Sequence, residues 1–280
     1  MSKPNCDETS PRPSYALGHS DRELKRLTVQ ARLAEPITRQ FFSEAGLAPG
    51  MHVLDVGSGA GDVAILAADM VGANGSVIGT DRSPTAIATA QARAEVLALR
   101  NVTFRRGDPT ELEFDRPFDA VAGRLILLFY PDPALALQKL ARHLRPGGVM
   151  VFHETDWSGV RSFPPSPTYD RCCQWFADTF RLLGTDTRLG IKLHGAFIAA
   201  GLPAPTMRLQ AFIGGGVDAS DWLFVVAELV GVLLPEIERL GVATAAEVGI
   251  DTLFDRMQAE VIASGSVIVG RSEIGVWSRL

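Results

Sequence analysis

Apolar residues fall into two alternating rhythms along this chain. From residue 51, short apolar runs of strand length are separated by stretches with helical spacing. MHVLDVG predicts a buried strand, DVAILAADMVG a helix ending at Gly72, and SVIGTD a second strand. Ser83 is an N-cap followed by Pro84 in the first turn of a helix that runs to about Leu99. NVTFRRGD and FDAVAGR predict the third and fourth strands. Asp132-Pro133 repeats the cap-plus-proline signal for a helix through His143, and LRPGGVMVFHE turns into a fifth strand. Strands separated by helices of this length predict a parallel, doubly wound α/β sheet covered on both faces.

Before residue 51 the pattern is helical. Ser20 to Glu23 reads as a capping box, after which Leu24, Leu27, Ala31 and Ala34 share one face. Pro36 predicts the start of a second short helix, ending at Gly46. Beyond Glu154, residues 168–200 read as mostly helical, PTMRLQAFI (205–213) as a sixth strand, and SVIVGRSEIGVWS (266–278) as containing a seventh. Between them Gly214-Gly215-Gly216 reads as a flexible joint, and residues 217–263 have helical spacing with a capping box at Thr244 to Glu247. Trp222, Leu223, Phe224, Val225, Leu233 and Leu234 in that stretch suit a lid over a hydrophobic small molecule, completion of the core, or a homodimer face. The expected organisation is a disordered polar leader over 1–14 and one domain over 15–280. Within that domain, 15–46 form a helical cap and 217–263 a helical insertion.

Composition narrows the function. A content of 46% hydrophobic and 21% charged residues supports an ordinary core, and a net charge of −5 argues against a nucleic-acid partner, whose affinity comes from clustered Lys and Arg. Arg22, Lys25 and Arg26 are interleaved with Asp21 and Glu23, which reads as a solvated helix face. No apolar run reaches the roughly 20 residues that a membrane span needs. The leader lacks a signal-peptide core, and the odd set Cys6, Cys172 and Cys173 fits a reduced, cytoplasmic compartment. Cys172 and Cys173 lie in the helical run RCCQWFADTF and read as buried small residues; His143 and His194 lack partners at metal-ligand spacing, so no metal site is expected.

The candidate chemistry begins at VLDVGSGAGD, where a strand runs into a glycine turn and a helix. The spacing of Gly57, Gly59 and Gly61 is G-x-G-x-G, and Asp55 stands two residues before it. A pyrophosphate wants bare N–H groups and no carboxylate there. S-adenosylmethionine (SAM) instead carries an ammonium and a sulfonium, which a carboxylate favours. Asp81 ends the second strand, where it can accept both ribose hydroxyls, and Asp108 ends the third, where it can accept from an adenine amino group. His153 ends the fifth strand and is a candidate general base, with a structural histidine as the alternative; Glu154 and Asp156 are weaker candidates for the same task, or for binding a polar substrate group.

The pieces VLDVGSGAGD, VIGTDRSP, FRRGDPTELEF, FDAVAGRLILLFYPDP and LRPGGVMVFHE, in this order over residues 50–154, resemble the class I SAM-dependent methyltransferases. The likeness is to the small-molecule branch that includes the ubiquinone and menaquinone methyltransferases. It implies a Rossmann-like seven-stranded sheet with an antiparallel last strand. It also implies that Asp55 and the Gly57-Ser58-Gly59-Ala60-Gly61 loop hold the methionine end of SAM. Asp81 and Arg82 would flank the ribose, Asp108 and Pro109 the adenine, and Arg124 the methionine moiety. The family joins its last two strands by a short hairpin, and the helical stretch here departs from that. Nucleic-acid methylation is the runner-up. The motif Asn/Asp-Pro-Pro-aromatic of exocyclic-amine enzymes is absent after the fourth strand, as is the nucleophilic cysteine of cytosine C5 enzymes. A SAM-binding scaffold without methyl transfer stays open, and Asp55 and Asp62 disfavour an NAD-dependent oxidoreductase.

Overall fold

The computed structural model describes residues 21–280. The elements in chain order are α1 (Asp21–Ala45), β1 (His52–Val56), α2 (Asp62–Val71), β2 (Ser76–Asp81), α3 (Pro84–Val96), β3 (Val102–Arg106), β4 (Phe118–Arg124), α4 (Pro133–Ala141), β5 (Leu144–Asp156), β6 (Arg161–Phe163), α5 (Pro167–Leu182), α6 (Leu189–Ala199), β7 (Thr206–Gly215), α7 (Ser220–Arg239), α8 (Ala245–Val248), α9 (Ile250–Ser264) and β8 (Val267–Arg279). The leader, Cys6 and the cap residue Ser20 lie outside the described residues.

The sheet runs β3-β2-β1-β4-β5-β8-β6, with β7 also paired to β8. The pairs among β1 to β5 are parallel, and β8 runs antiparallel to β5. Seven strands follow the expected plan. The eighth, β6, was not expected. It is three residues long and continues along the edge of β8 that β5 occupies, pairing with Val267–Val269. So short a run carries no periodicity of its own.

Period-two alternation sends strand side chains to two covered faces. Val53, Ala122, Val151 and Trp277 pack with Phe42, Ala64 and Ala67 on the side of α1 and α2. Leu54, Val121, Phe152 and Val276 pack with Leu137, Leu193 and Phe197 on the side of α4 and α6. A third core, containing Tyr169, Phe176, Trp222, Leu229, Leu233 and Met257, joins α5, α7 and α9. Trp222, Leu223, Val225 and Leu233 are buried in it, while Phe224 and Leu234 are half-buried.

Two local expectations change. Pro36 does not begin a helix; it lies inside α1, exposed. Proline removes one backbone hydrogen bond there, and the turns beyond it are held by burial of Phe41 and Phe42, each worth roughly 1.5–3 kcal/mol. Gly214 and Gly215 are not a joint. They pair with Ile268 and Val267 as the end of β7.

Candidate cofactor and acceptor site

The turn after β1 is left-handed at Gly57, Gly59 and Gly61, with φ of 67°, 52° and 92°. A Cβ at Gly57 would also overlap Ile126. At Gly57 glycine is therefore required by both conformation and space, whereas at Gly59 nothing lies within 4 Å of where a Cβ would stand and the backbone is open there. Asp81 braces this turn from β2: its Oδ2 accepts from Gly59 N at 2.9 Å and its Oδ1 from Ser83 N at 2.8 Å.

Asp55 is fully buried, and neither carboxylate oxygen has a hydrogen-bond partner among the described residues. Ala64 N–H lies close without completing a bond. Burial pushes the Asp55 carboxyl well above its ordinary range; Arg124 opposes this, and Asp81 and Asp62 add to it. The Ser58 hydroxyl is likewise buried without a partner. Orphaned buried acceptors are rare and mark a place where a donor is missing. A ligand ammonium beside Asp55 would supply that donor.

Asp108 is held differently. Its Oδ1 accepts from Thr110 N, the Thr110 hydroxyl and the Tyr130 hydroxyl at 2.9–3.0 Å, and its Oδ2 pairs with Arg82. Burial raises its carboxyl, but these donors outweigh burial and hold it below the usual range. The Arg82 guanidinium lies 5.6 Å from the centre of the Tyr130 ring. Pro109 presents its carbonyl to His143 Nε2 at 2.7 Å.

From the glycine turn a polar chain crosses the sheet beneath α1. Asp62, the first residue of α2, lies 3.6 Å from Arg124 Nη2. Arg124 Nη1 donates to the Thr38 hydroxyl at 3.2 Å, and Thr38 Oγ1 lies 2.9 Å from His153 Nδ1. His153 Nε2 lies 2.8 Å from Glu273 Oε2, and Arg271 Nε donates to Glu273 Oε1 at 2.8 Å. Burial lowers the His153 pKa, with Glu273 opposing. Glu273 is drawn down to about 2, because Arg271 and His153 outweigh burial. A neutral imidazole beside an ionised Glu273 carries its hydrogen on Nε2. Nδ1 is then an acceptor facing the Thr38 hydroxyl, whose hydrogen it shares with Ala34 O, 2.8 Å away. Glu154 lies on the opposite face. Its Oε1 accepts from Ile126 N and Leu127 N, its Oε2 is unpartnered, and burial pushes it up to about 7.

The strand ends thus bring Asp55, Asp81 and Asp108 to one edge, with Arg82 and Pro109 beside them. Arg124 and His153 join the chain that leaves this edge. His153 is fully buried with both ring nitrogens engaged, so no acceptor reaches it directly in this arrangement. Thr38, Tyr130, Arg271 and Glu273 were not singled out from sequence. Arg271 and Glu273 did carry a signal: polar residues at i and i+2 inside an apolar strand, in GRSEIG. Cys172 and Cys173 are buried free thiols in α5.

A family model described as a methyltransferase domain matches residues 47–180, the span that holds the glycine turn and all three acidic strand ends. The chain carries a methyltransferase domain. Over 101 residues this domain is 44% identical to a 2-phytyl-1,4-naphtoquinone methyltransferase of Synechococcus elongatus, covering 35% of this chain and 43% of that protein. Over 116 residues it is 37% identical to an arsenite methyltransferase of Aquipseudomonas alcaligenes, covering 39% of this chain and 34% of that protein. The chain therefore spans less than half the length of these two relatives. A putative methyltransferase structure from Bacillus halodurans superposes with a TM-score of 0.54 at 20% identity, over 86% of this chain and 96% of that one, which supports the methyltransferase fold. Among the described residues no helix is long and apolar enough to cross a membrane.

Proposed function

We propose that the protein transfers the methyl group of SAM to an O, N or C nucleophile of a small, partly hydrophobic molecule in the cytoplasm. The observation that carries this reading is the buried Asp55 carboxylate, unpartnered beside a left-handed glycine turn whose backbone is open at Gly59. When bound, SAM supplies a methyl group already activated on a sulfonium. Asp55, with Asp62 and Ser58, would receive the ammonium, and Arg124 the methionine carboxylate. Asp81 would accept the ribose hydroxyls. Asp108 and Pro109 would face the adenine, and Arg82, paired with Asp108, would flank the ribose. The protein's chief contribution is alignment and exclusion of water.

His153 acts as the proton acceptor through Thr38. Glu273 orients the imidazole, leaving Nδ1 basic toward the Thr38 hydroxyl, which would have to leave Ala34 O to pass on an acceptor's proton. The two buried free thiols support a reducing compartment. The test is incubation with methyl-labelled SAM and a small-molecule extract of the source organism. Label in a small product is expected. SAM binding with no labelled product would favour a scaffold, and label in nucleic acid would favour the runner-up.

A further inference from the structure

Among the described residues, five buried side-chain atoms lack a hydrogen-bond partner, and all five stand at the carboxyl ends of β1 and β5. Three belong to Asp55 and Ser58. The other two are Glu154 Oε2 and Asp156 Oδ2, on residues that are 0% and 2% exposed. The SAM ammonium assigned to Asp55 cannot serve this second pair. Asp55 alternates with Val53 toward the α1–α2 side, whereas Glu154 and Asp156 follow Phe152 toward the α4–α6 side. β4 also stands between β1 and β5.

The other oxygen of each carboxylate is fixed. Glu154 Oε1 accepts from Ile126 N at 2.8 Å and Leu127 N at 2.7 Å, where left-handed Leu125, φ 53°, turns the chain. Asp156 Oδ1 accepts from Ser158 N at 2.6 Å and from the Ser158 hydroxyl. The cation that acts on Glu154, Arg271, is paired with Glu273 instead. Two anchored carboxylates therefore each keep one oxygen without a donor, and leaving such groups unmet in the interior is costly. The approach lies over the turn after β5. Ser158 is exposed and Gly159 half-buried. Beyond its chain neighbours, only Ser272 Oγ stands within 4 Å of where a Gly159 Cβ would be, at 3.4 Å. The register Asp156↔Ser272 puts that hydroxyl on the Asp156 face.

We propose that Glu154 and Asp156 seat an amino group of the acceptor, so that the substrate class is primary and secondary amines bound as ammonium ions. Two unmet carboxylate oxygens need two donors and a counter-charge. A hydroxyl brings one donor and no charge; a protonated amine brings two or three donors and a full positive charge. The seated nitrogen has no lone pair to take a methyl group, so it is a handle and the nucleophile is another atom of the acceptor. Ile126, whose amide holds Glu154 and whose side chain packs at Gly57, joins this seat to the cofactor turn. Calling the ligand the acceptor rests on the methyl-transfer reading; its binding does not.

The probes are butylamine against 1-butanol and benzylamine against benzyl alcohol, titrated into the full chain with and without S-adenosylhomocysteine. The amines should bind about ten- to a hundredfold more tightly than the alcohols, as expected for charge-assisted bonds. Glu154→Gln/Asp156→Asn keeps both anchoring oxygens and should bring amine and alcohol to parity, with S-adenosylhomocysteine affinity near native. Equal affinity of amine and alcohol in the native protein, or no binding of either amine, overturns the proposal and needs no variant. An amine preference that persists in the folded double variant also overturns it, as does loss of S-adenosylhomocysteine binding in that folded variant, which would give the two carboxylates to the cofactor. Failure of the native protein to bind S-adenosylhomocysteine would overturn the cofactor reading, while the amine-to-alcohol ratio measured without it still decides on the seat.

Discussion

The β1–β3 edge and the β5–β8 edge both bury carboxylates, but they hold them in opposite states. Asp55 on β1 has no donor, and burial raises its pKa. Glu273 on β8 is bonded to His153 and Arg271 and is drawn down to about 2. An uncompensated buried acid lowers stability until a cation arrives, so Asp55 reads as a ligand contact. A compensated one orients its neighbours, so Glu273 reads as the support for His153. Chemically similar groups in one sheet are thus separated by partners rather than by residue type.

Breaking the compensated side should have the largest effect. Glu273→Ala leaves Arg271 and His153 facing a void, and removing one member of a buried pair costs about 3–5 kcal/mol. Denaturant unfolding should show that loss. Glu273 is depressed, so its contribution is full above its unfolded pKa of about 4.3 and fades as pH falls toward 2. Glu273→Gln should lack that acid limb.

Glu154 should behave oppositely. Its pKa is raised to about 7, so its contribution is full below about 4.3 and is lost as pH rises through 7. Native stability should fall between about pH 5 and 8 by about 3 kcal/mol from this group alone. Glu154→Gln should flatten that part of the curve; an unchanged slope would show that Glu154 is solvated.

The relay comes next. His153→Gln and Thr38→Val should each lower kcat about 10²-fold while leaving S-adenosylhomocysteine affinity near native. Native turnover in both variants would make the chain purely structural. Asp81→Ala should have the smallest effect. It removes a charged acceptor for ribose and for Gly59 N, weakening SAM by roughly 1.5–3 kcal/mol. Unchanged affinity in a folded variant would move the ribose to another strand end.

Legibility from sequence divides along the same line. The β1–β5 half is readable because parallel strands buried on both faces appear as apolar runs, and because the glycine turn and strand-end acids are local features. Asp55, Asp81 and Asp108 can therefore be placed on one edge from the motifs alone. Glu273 cannot be tied to His153 in that way, because their contact depends on antiparallel pairing across 120 positions. Thr38 is hidden by the expected helix start at Pro36. Tyr130 meets Asp108 only through the path of the loop after β4.

Isothermal titration with S-adenosylhomocysteine and with NAD tests the cofactor edge most directly. An unpartnered, protonation-prone Asp55 should accept the ammonium of S-adenosylhomocysteine, giving binding that tightens as pH rises and no heat from NAD. Tight NAD binding with no heat from S-adenosylhomocysteine would contradict it.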